Sequence, residues 1–274
     1  MKAGIIGGTG KMGTLFSRVF SRAGYEVQVC GRRSPSRCRD IAADCSILVI
    51  SVPIRETVPV IRGIAPLLRE DQILCDLTSL KTGPVEAMLA SRALVIGLHP
   101  MFGPTVSSLH GQTIIATPAR IDDESLASFL SIFEQEGARI TLSTPEEHDR
   151  MMAVVQGLTH FVTLTVAETM RRLDMSPEAT EPFRSPVYQM EMGLVGRLLS
   201  QDPDMYGDML RENPYIPPVL AACHESLGYI QRAVGDPESG VFREIFLENA
   251  RYFGGYSQKA AEETDFLIDA MVRR

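Results

Sequence analysis

A glycine-rich run near the start of the chain limits the folds open to it more than any other segment. It has the spacing G-x-G-x-x-G and consists of Gly8, Thr9, Gly10, Lys11, Met12 and Gly13. An apolar, strand-like segment precedes it over residues 2–7, an amphipathic segment covers 12–23, and a second strand-like segment covers 26–31. A strand, a glycine turn and a helix in this order predict a βαβ unit that binds the pyrophosphate of a dinucleotide.

Each glycine of the run has an expected part in this unit. Gly8 permits the tight turn, Gly10 lets the backbone approach the pyrophosphate, and Gly13 allows the helix to pack closely on the strand. The free N–H groups and the positive dipole of the helix N-terminus then favour the phosphates.

The end of the second strand indicates which dinucleotide binds. An NAD site usually has Asp or Glu there, bonded to the ribose 2′-OH, whereas this chain has Gly31, Arg32 and Arg33. Two guanidiniums suit a 2′-phosphate through charge-assisted hydrogen bonds. We therefore expect NADP, with NAD as the alternative if both arginines are only solvated surface charges.

The first half of the chain continues to alternate strand-like and helix-like segments. Further strands are expected over 47–51, 73–77, 93–98, 112–116 and 139–142, with helices over 57–69 and 123–136. This alternation predicts a doubly wound parallel sheet, an α/β Rossmann domain over residues 1–150. Thr144, Pro145 and Glu147 are typical of a helix start. Helical periodicity after them predicts a second, all-helical domain over 151–274, for substrate binding and dimerisation.

Composition excludes several other classes of protein. The net charge is -7 and no block of basic residues occurs, so nucleic acid is not an expected partner. No apolar run approaches the ~20 residues that span a bilayer, so no membrane partner is expected. The five cysteines are odd in number and lack metal-type spacing. We expect reduced thiols, no metal site and a cytoplasmic protein.

Ligands of open α/β sheets bind beyond the carboxyl ends of the strands. One such end carries Ser51, Val52 and Pro53, which we assign to the cofactor. Another carries residues 76–81 and a third residues 98–104.

His99 follows a predicted strand in a loop with two prolines, where a histidine can take a hydroxyl proton at neutral pH. Ser79 is expected to bond His99 and fix its tautomer. Taken alone, a loop histidine more often caps a turn.

The segment G-L-H-P-M-F-G-P over residues 97–104 resembles the signature of the prephenate dehydrogenase family. Segments 7–13, 76–81, 147–149, 156–161, 185–188, 196–199 and 202–208 agree with it in order and spacing. The bifunctional enteric members are especially similar, and we expect this chain to lack their chorismate mutase domain.

The resemblance implies oxidative decarboxylation of prephenate to 4-hydroxyphenylpyruvate in tyrosine biosynthesis, by a homodimer. It implies that His99 is the catalytic hydrogen-bond acceptor for the substrate hydroxyl, with Ser79 as its partner. Arg197 matches a clamp for a substrate carboxylate, and His160 a second substrate-site histidine. Lys81 and His148 are expected to line the substrate site. Without the resemblance, Arg197 would suit a surface ion pair and His160 a helix core.

Three alternatives stay open at this stage, and the sequence argues against a fourth. Arogenate dehydrogenase and 4-amino-4-deoxyprephenate dehydrogenase differ from the first hypothesis only in the substrate. A non-catalytic NADP sensor would keep the fold and lose the chemistry, but His99, Ser79 and Arg197 are all present. A β-hydroxyacid dehydrogenase needs a lysine in the helical domain, and residues 151–200 contain none.

Overall fold

The computed structural model describes residues 1–236 and 238–273, which divide into two compact units. The first unit contains Met1–Ala153 and Asp204–Tyr215, and the second contains Val154–Pro203 and Ile216–Arg274. The observed division differs from the expected one in the short segment 204–215, which belongs to the first unit. The ion pair of Asp208 with Arg55, with Oδ2 and Nε 3.0 Å apart, attaches it to the sheet unit.

The first unit is built on a seven-stranded sheet in the order β2-β1-β3-β4-β5-β6-β7. The strands are β1 (Lys2–Ile6), β2 (Glu26–Cys30), β3 (Ile47–Ile50), β4 (Ile73–Asp76), β5 (Leu94–Pro100), β6 (Thr113–Arg120) and β7 (Arg139–Leu142). The order changes direction at β1, between β2 and β3. In open α/β sheets this switch point is where a nucleotide binds.

One strand departs from the all-parallel sheet expected from the sequence. β6 pairs antiparallel with β5, while every other pair in the sheet is parallel. A parallel pair needs a crossover, usually a helix. Residues 101–112 between these two strands form only turns and bends.

Helices cover both faces of the sheet. Those of the first unit in chain order are α1 (Lys11–Arg22), α2 (Pro35–Asp44), α3 (Ile54–Ile64), α4 (Thr82–Leu89), α5 (Asp123–Glu134) and α6 (Pro145–Met152). α1 and α5 pack on one face, where Phe16 and Phe133 meet with ring centroids 5.9 Å apart. α2, α3 and α4 pack on the other face through residues such as Ile61 and Met88.

The strands are apolar on both sides because both faces are covered. In β3, Ile47 and Val49 belong to one core cluster, whereas Leu48 and Ile50 belong to the other. All four side chains are buried, as expected for a central strand of a doubly wound sheet. The predicted doubly wound fold is confirmed.

The second unit is helical. A π-helical segment over Ala153–Leu158 leads into α7 (Thr159–Arg172), α8 (Pro177–Thr180) and α9 (Pro186–Leu199). α10 (Pro203–Glu212) follows, almost all of it in the first unit, and then α11 (Ile216–Gly235), α12 (Val241–Phe253) and α13 (Gly255–Val272). α7 packs against α9, and α11 against α12. Many large apolar side chains of this unit are exposed, among them Phe242, Phe246 and Phe266.

One helical stretch, Pro145–Arg172, is long and apolar enough by length and composition to cross a bilayer. The expectation from the sequence concerned a continuous apolar run, which this stretch is not. The stretch is apolar on average, with a mean hydropathy of 1.2 in its best window, although polar residues interrupt it.

Candidate active site

The turn after β1 is made by a glycine that the motif did not single out. Gly7 has a φ of 85°, and a Cβ on it would lie 2.1 Å from the carbonyl oxygen of Ser51. Gly8 was predicted to permit the turn, but the positive φ belongs to Gly7. A side chain at Gly8 is excluded for another reason, since its Cβ would lie 2.7 Å from Cβ of Val29 in β2.

The start of α1 packs directly on this turn. A Cβ on Gly13 would lie 2.5 Å from the carbonyl oxygen of Gly7, so only glycine permits the close helix–strand packing that was predicted. Gly10 is the N-cap of α1 and supplies no side-chain cap to the first turn. The first N–H groups of the helix therefore suit the oxygens of a pyrophosphate.

The other predicted cofactor residues lie around the same turn. Ser51 donates its backbone N–H to the carbonyl of Ile6, and Val52 Cγ1 lies 3.0 Å from the position of a Cβ on Gly7. On the other side, a Cβ on Gly31 would lie 2.9 Å from Oγ1 of Thr9. The ends of β1, β2 and β3 thus form one small-residue cradle that fits a dinucleotide.

The end of β2 carries the two arginines that were expected to distinguish NADP from NAD. Arg32 and Arg33 are exposed in the turn between β2 and α2. No acidic residue follows β2 before Asp40. The turn therefore offers guanidiniums and no carboxylate to a bound dinucleotide.

The cysteine prediction is wrong for one pair. Cys30 and Cys38 form a disulfide with Cα atoms 5.5 Å apart, which links the end of β2 to α2 around the arginine turn. Sequence spacing alone did not show that α2 brings Cys38 back to the strand. Cys45 and Cys75 are buried free thiols, and burial raises the pKa of Cys45 to about 11.

A buried ion pair lies beside β4 and β5. The ammonium of Lys81 contacts the Asp76 carboxylate and donates to the carbonyl of Leu98 at 2.8 Å. Both side chains are completely buried. Gly97 makes room for the lysine, since a Cβ there would lie 2.9 Å from Cδ of Lys81. Lys81 was expected to line the substrate site, but the structure corrects this, because its ammonium is engaged inside the first unit.

His99 lies inside β5, paired with Ile115 of β6, and not in a loop as predicted. Its side chain is buried, with only 4% of the residue exposed. Nδ1 of His99 lies 2.8 Å from Nε2 of His148, and Nδ1 of His148 lies 2.8 Å from Oδ1 of Asp149. The three side chains thus form a continuous hydrogen-bonded chain.

Local sequence places His148 and Asp149 in this chain. α6 begins at Pro145, and the Thr144 hydroxyl accepts the backbone N–H of Glu147, the cap that the sequence predicted. The next two residues are buried in the first turns of the helix. The Asp149 carboxylate also accepts the backbone N–H groups of Lys81 and Thr82, at 2.8 and 2.9 Å, at the start of α4.

The electrostatics favour neutral imidazoles and an ionised aspartate. Burial, the neighbouring His148 and the charge of Lys81 hold the pKa of His99 well below its ordinary value. Burial also lowers the pKa of His148, against the opposing effect of Asp149. Burial alone would raise the pKa of Asp149, but the hydrogen bonds from His148, Thr82 and Lys81 outweigh it and lower that pKa.

The remaining predicted site residues are distributed over both units. Ser79 is half-buried in the segment after β4. His148 contacts His99 directly, a partner that the sequence prediction did not specify. In the second unit, His160 lies on α7, where burial lowers its pKa, and Arg197 is exposed on α9. Arg197 forms no ion pair with any other residue that the structure describes.

Sequence reasoning missed three residues of this site. Asp149 and Asp76 were only members of matching segments, and Gly7 was treated as the end of a strand. A usable signal existed for Asp149, because a carboxylate directly after a histidine in a helix start can accept from that ring. For Asp76, the pairing with Lys81 depends on the turn after β4.

A doubly wound sheet with a pyrophosphate cradle at its switch point and a buried histidine near the carboxyl end of β5 is typical of a dinucleotide-dependent oxidoreductase. Comparison with known proteins narrows this class. Residues 17–142 match the family described as prephenate dehydrogenase, nucleotide-binding domain, and residues 144–250 match prephenate dehydrogenase, dimerization domain. The chain therefore belongs to the prephenate dehydrogenase family.

Individual relatives agree with this assignment. The chain is 32% identical over 286 residues to a probable arogenate/prephenate dehydrogenase of Methanocaldococcus jannaschii, covering 97% of this chain and 64% of that protein. It is 32% identical over 265 residues to the T-protein of Enterobacter agglomerans, covering 96% and 70%. The crystal structure of A. aeolicus prephenate dehydrogenase in complex with hydroxyphenyl propionate and NAD+ superposes with a TM-score of 0.73, at 21% identity and 92% and 96% coverage. That last likeness shows the fold alone.

Proposed function

We propose that this chain is a prephenate dehydrogenase, which converts prephenate to 4-hydroxyphenylpyruvate and carbon dioxide with hydride transfer to NADP. The observation that carries the proposal is His99, a buried histidine with a lowered pKa near the carboxyl end of β5. A neutral imidazole at this edge of the sheet can accept a hydrogen bond from a substrate hydroxyl. Membership of the family supports the same reaction class.

The chemistry asks little of the protein beyond orientation and polarisation. The nicotinamide supplies the hydride acceptor when it is bound. As hydride leaves the ring carbon that bears the hydroxyl, the electron pair of the bond to the departing carboxylate enters the ring. His99 accepts the hydrogen bond of the hydroxyl while positive charge develops on that carbon and its oxygen, and Ser79 is the second catalytic residue that the family resemblance implies. Formation of the aromatic ring drives the step, so correct placement supplies most of the catalysis.

Two residues of the second unit are further proposed substrate-binding residues. Arg197 binds a carboxylate of the substrate, because a planar guanidinium can donate two parallel hydrogen bonds. Its exposure and its freedom from ion pairs within the described residues support this role over that of a surface ion pair. His160 contributes a second imidazole from α7.

NADP is the proposed cofactor because Arg32 and Arg33 follow β2 where an NAD site usually carries an acid. We propose a homodimer that forms through the second unit. The exposed apolar side chains of that unit and its match to a dimerization domain support this.

Activity assays on the purified protein distinguish the candidate substrates. The absorbance of the reduced cofactor is followed with prephenate, arogenate and 4-amino-4-deoxyprephenate in turn. Each substrate is combined with NADP and with NAD. We expect the highest kcat/KM for prephenate with NADP. A higher kcat/KM for arogenate or the amino analogue would change the proposed substrate but not the proposed reaction class. If none of the three is oxidised while NADP still binds, the chain is a non-catalytic sensor and the proposal fails.

A further inference from the structure

The hydrogen-bonded chain from Asp149 through His148 to His99 has a defined direction. An ionised carboxylate only accepts hydrogen bonds, and Asp149 already accepts the N–H groups of Lys81 and Thr82. Its third contact, with Nδ1 of His148 at 2.8 Å, therefore requires a proton on that nitrogen.

The position of the next proton follows from the first. A neutral imidazole has one N–H and one acceptor nitrogen. With its proton on Nδ1, His148 presents the lone pair of Nε2 to His99, 2.8 Å away. Nδ1 of His99 must then carry the proton of that ring, which leaves the lone pair of His99 on Nε2.

We propose that His148 and Asp149 are positioning residues that hold His99 in the tautomer protonated on Nδ1, so that Nε2 accepts the hydrogen bond of the substrate hydroxyl. The role in turnover rests on the proposed function, whereas the tautomer is a property of the protein alone. Neither residue needs to touch the substrate.

The opposite tautomer would require an imidazolium at His148. Its two nitrogens would then both donate, Nδ1 of His99 would accept, and Nε2 of His99 would carry the proton. The surroundings oppose that state, since His148 is buried and Lys81 places a positive charge nearby. A protonated Nε2 cannot accept from a hydroxyl, so this state would be inactive.

The direct test is the tautomer of His99 in the intact protein without substrate. Two-bond 1H–15N correlation spectra of protein labelled at histidine distinguish protonated from unprotonated ring nitrogens. The chain has only five histidines, and His99→Gln assigns the ring in question. At pH 7.5 we expect an unprotonated Nε2 and a protonated Nδ1. A protonated Nε2, or two nitrogens averaged equally, would overturn the proposal whether or not prephenate is the substrate.

Two variants of His148 separate positioning from a merely structural role. His148→Gln keeps an acceptor toward His99 and a donor toward Asp149, whereas His148→Phe removes both. We expect His148→Gln to keep the Nε2 lone pair and His148→Phe to lose this preference. In His148→Phe, kcat should fall about 100-fold with KM changed by less than about threefold. The exposed His110 serves as a matched control, so His110→Gln should change neither the tautomer of His99 nor the kinetic constants.

An unchanged tautomer in His148→Phe would contradict the proposal. If that variant does not fold, the spectra of the wild type and of His148→Gln still decide. A protonated Nε2 in the wild type, or a lost preference in His148→Gln, counts against it. Absence of turnover with all three substrates, beside the expected tautomer, would reject the proposed function and leave the positioning role in place.

Discussion

The imidazole rings of His99 and His148 meet edge to face inside the first unit, with centroids 5.0 Å apart and Nδ1 of His99 2.8 Å from Nε2 of His148. Two buried imidazoles in direct contact cannot both be cations at low cost, and Lys81 adds a further positive charge nearby. The pair therefore favours the neutral state, which makes both the stability of the fold and the chemistry of His99 dependent on pH.

Stability should fall as the pH falls below about 6.5, the pKa of histidine in the unfolded chain. Both folded-state pKa values are lowered, so in this window the unfolded chain binds protons that the folded protein does not. Each histidine then contributes a slope of up to about 1.4 kcal/mol per pH unit. The lowered pKa of Asp149 keeps that carboxylate ionised throughout this window.

Urea unfolding at several pH values between 5 and 7.5 measures this slope. In His148→Gln one of the two groups is gone, so the slope should decrease by up to about 1.4 kcal/mol per pH unit relative to the wild type. Equal slopes in the two proteins would mean that His148 binds as many protons in the folded protein as in the unfolded chain, so that its pKa is not lowered by folding.

The ion pair between Lys81 and Asp76 should be a strong determinant of stability. Lys81→Met leaves the Asp76 carboxylate buried and unpaired, which costs about 3–5 kcal/mol of unfolding free energy. Replacing both partners, as in Lys81→Met with Asp76→Asn, should recover much of that loss because no buried charge remains. Chemical denaturation of both single variants and of the double variant tests this coupling, and additive losses would argue against it.

The arginine turn after β2 should discriminate between the two nicotinamide cofactors. Replacing Arg32 and Arg33 by alanine removes charge-assisted bonds to a 2′-phosphate, each worth about 1.5–3 kcal/mol. We expect the Kd for NADP to rise at least about tenfold, while the Kd for NAD changes little. Titration calorimetry with both cofactors measures the difference. Equal weakening of NAD and NADP would indicate damage to the cradle and no contact with the 2′-phosphate.

Arg197→Ala should mainly weaken substrate binding. Loss of a bidentate contact to a carboxylate should raise KM for prephenate by about 10- to 100-fold. Arg197→Lys keeps the charge and loses the planar fork, so it should recover only part of the affinity. Steady-state kinetics of the two variants measure the effect, and an unchanged KM in the alanine variant would rule out the clamp.

Much of the fold could be predicted from periodicity and glycine placement. β1, β3 and β4 are short apolar runs between turn signals, a pattern that predicts buried strands, and they are the buried strands of the first unit. α2 and α4 were missed. α2 starts with Ser34-Pro35 and offers few apolar positions, and Gly83-Pro84 near the start of α4 imitates a turn. The antiparallel β6 was missed because periodicity does not show strand direction.

The candidate site was predictable only in part. The G-x-G-x-x-G spacing identified the cradle, since all its residues are close in the chain. The contact between His99 and His148 joins residues 49 positions apart, and it depends on how α6 packs against α4 and β6. Long-range packing of this kind leaves no mark in local spacing. It also explains why Lys81, polar and near a strand end, was placed in the substrate site although it is buried.

Product formation by wild type and His99→Asn tests the central claim most directly. We predict that the wild type releases 4-hydroxyphenylpyruvate, carbon dioxide and reduced NADP in equal amounts from prephenate. His99→Asn should bind NADP as tightly as the wild type and lose at least about 100-fold in kcat. An asparagine variant that turns over prephenate at the wild-type rate, or one that no longer binds NADP, would contradict the role assigned to His99.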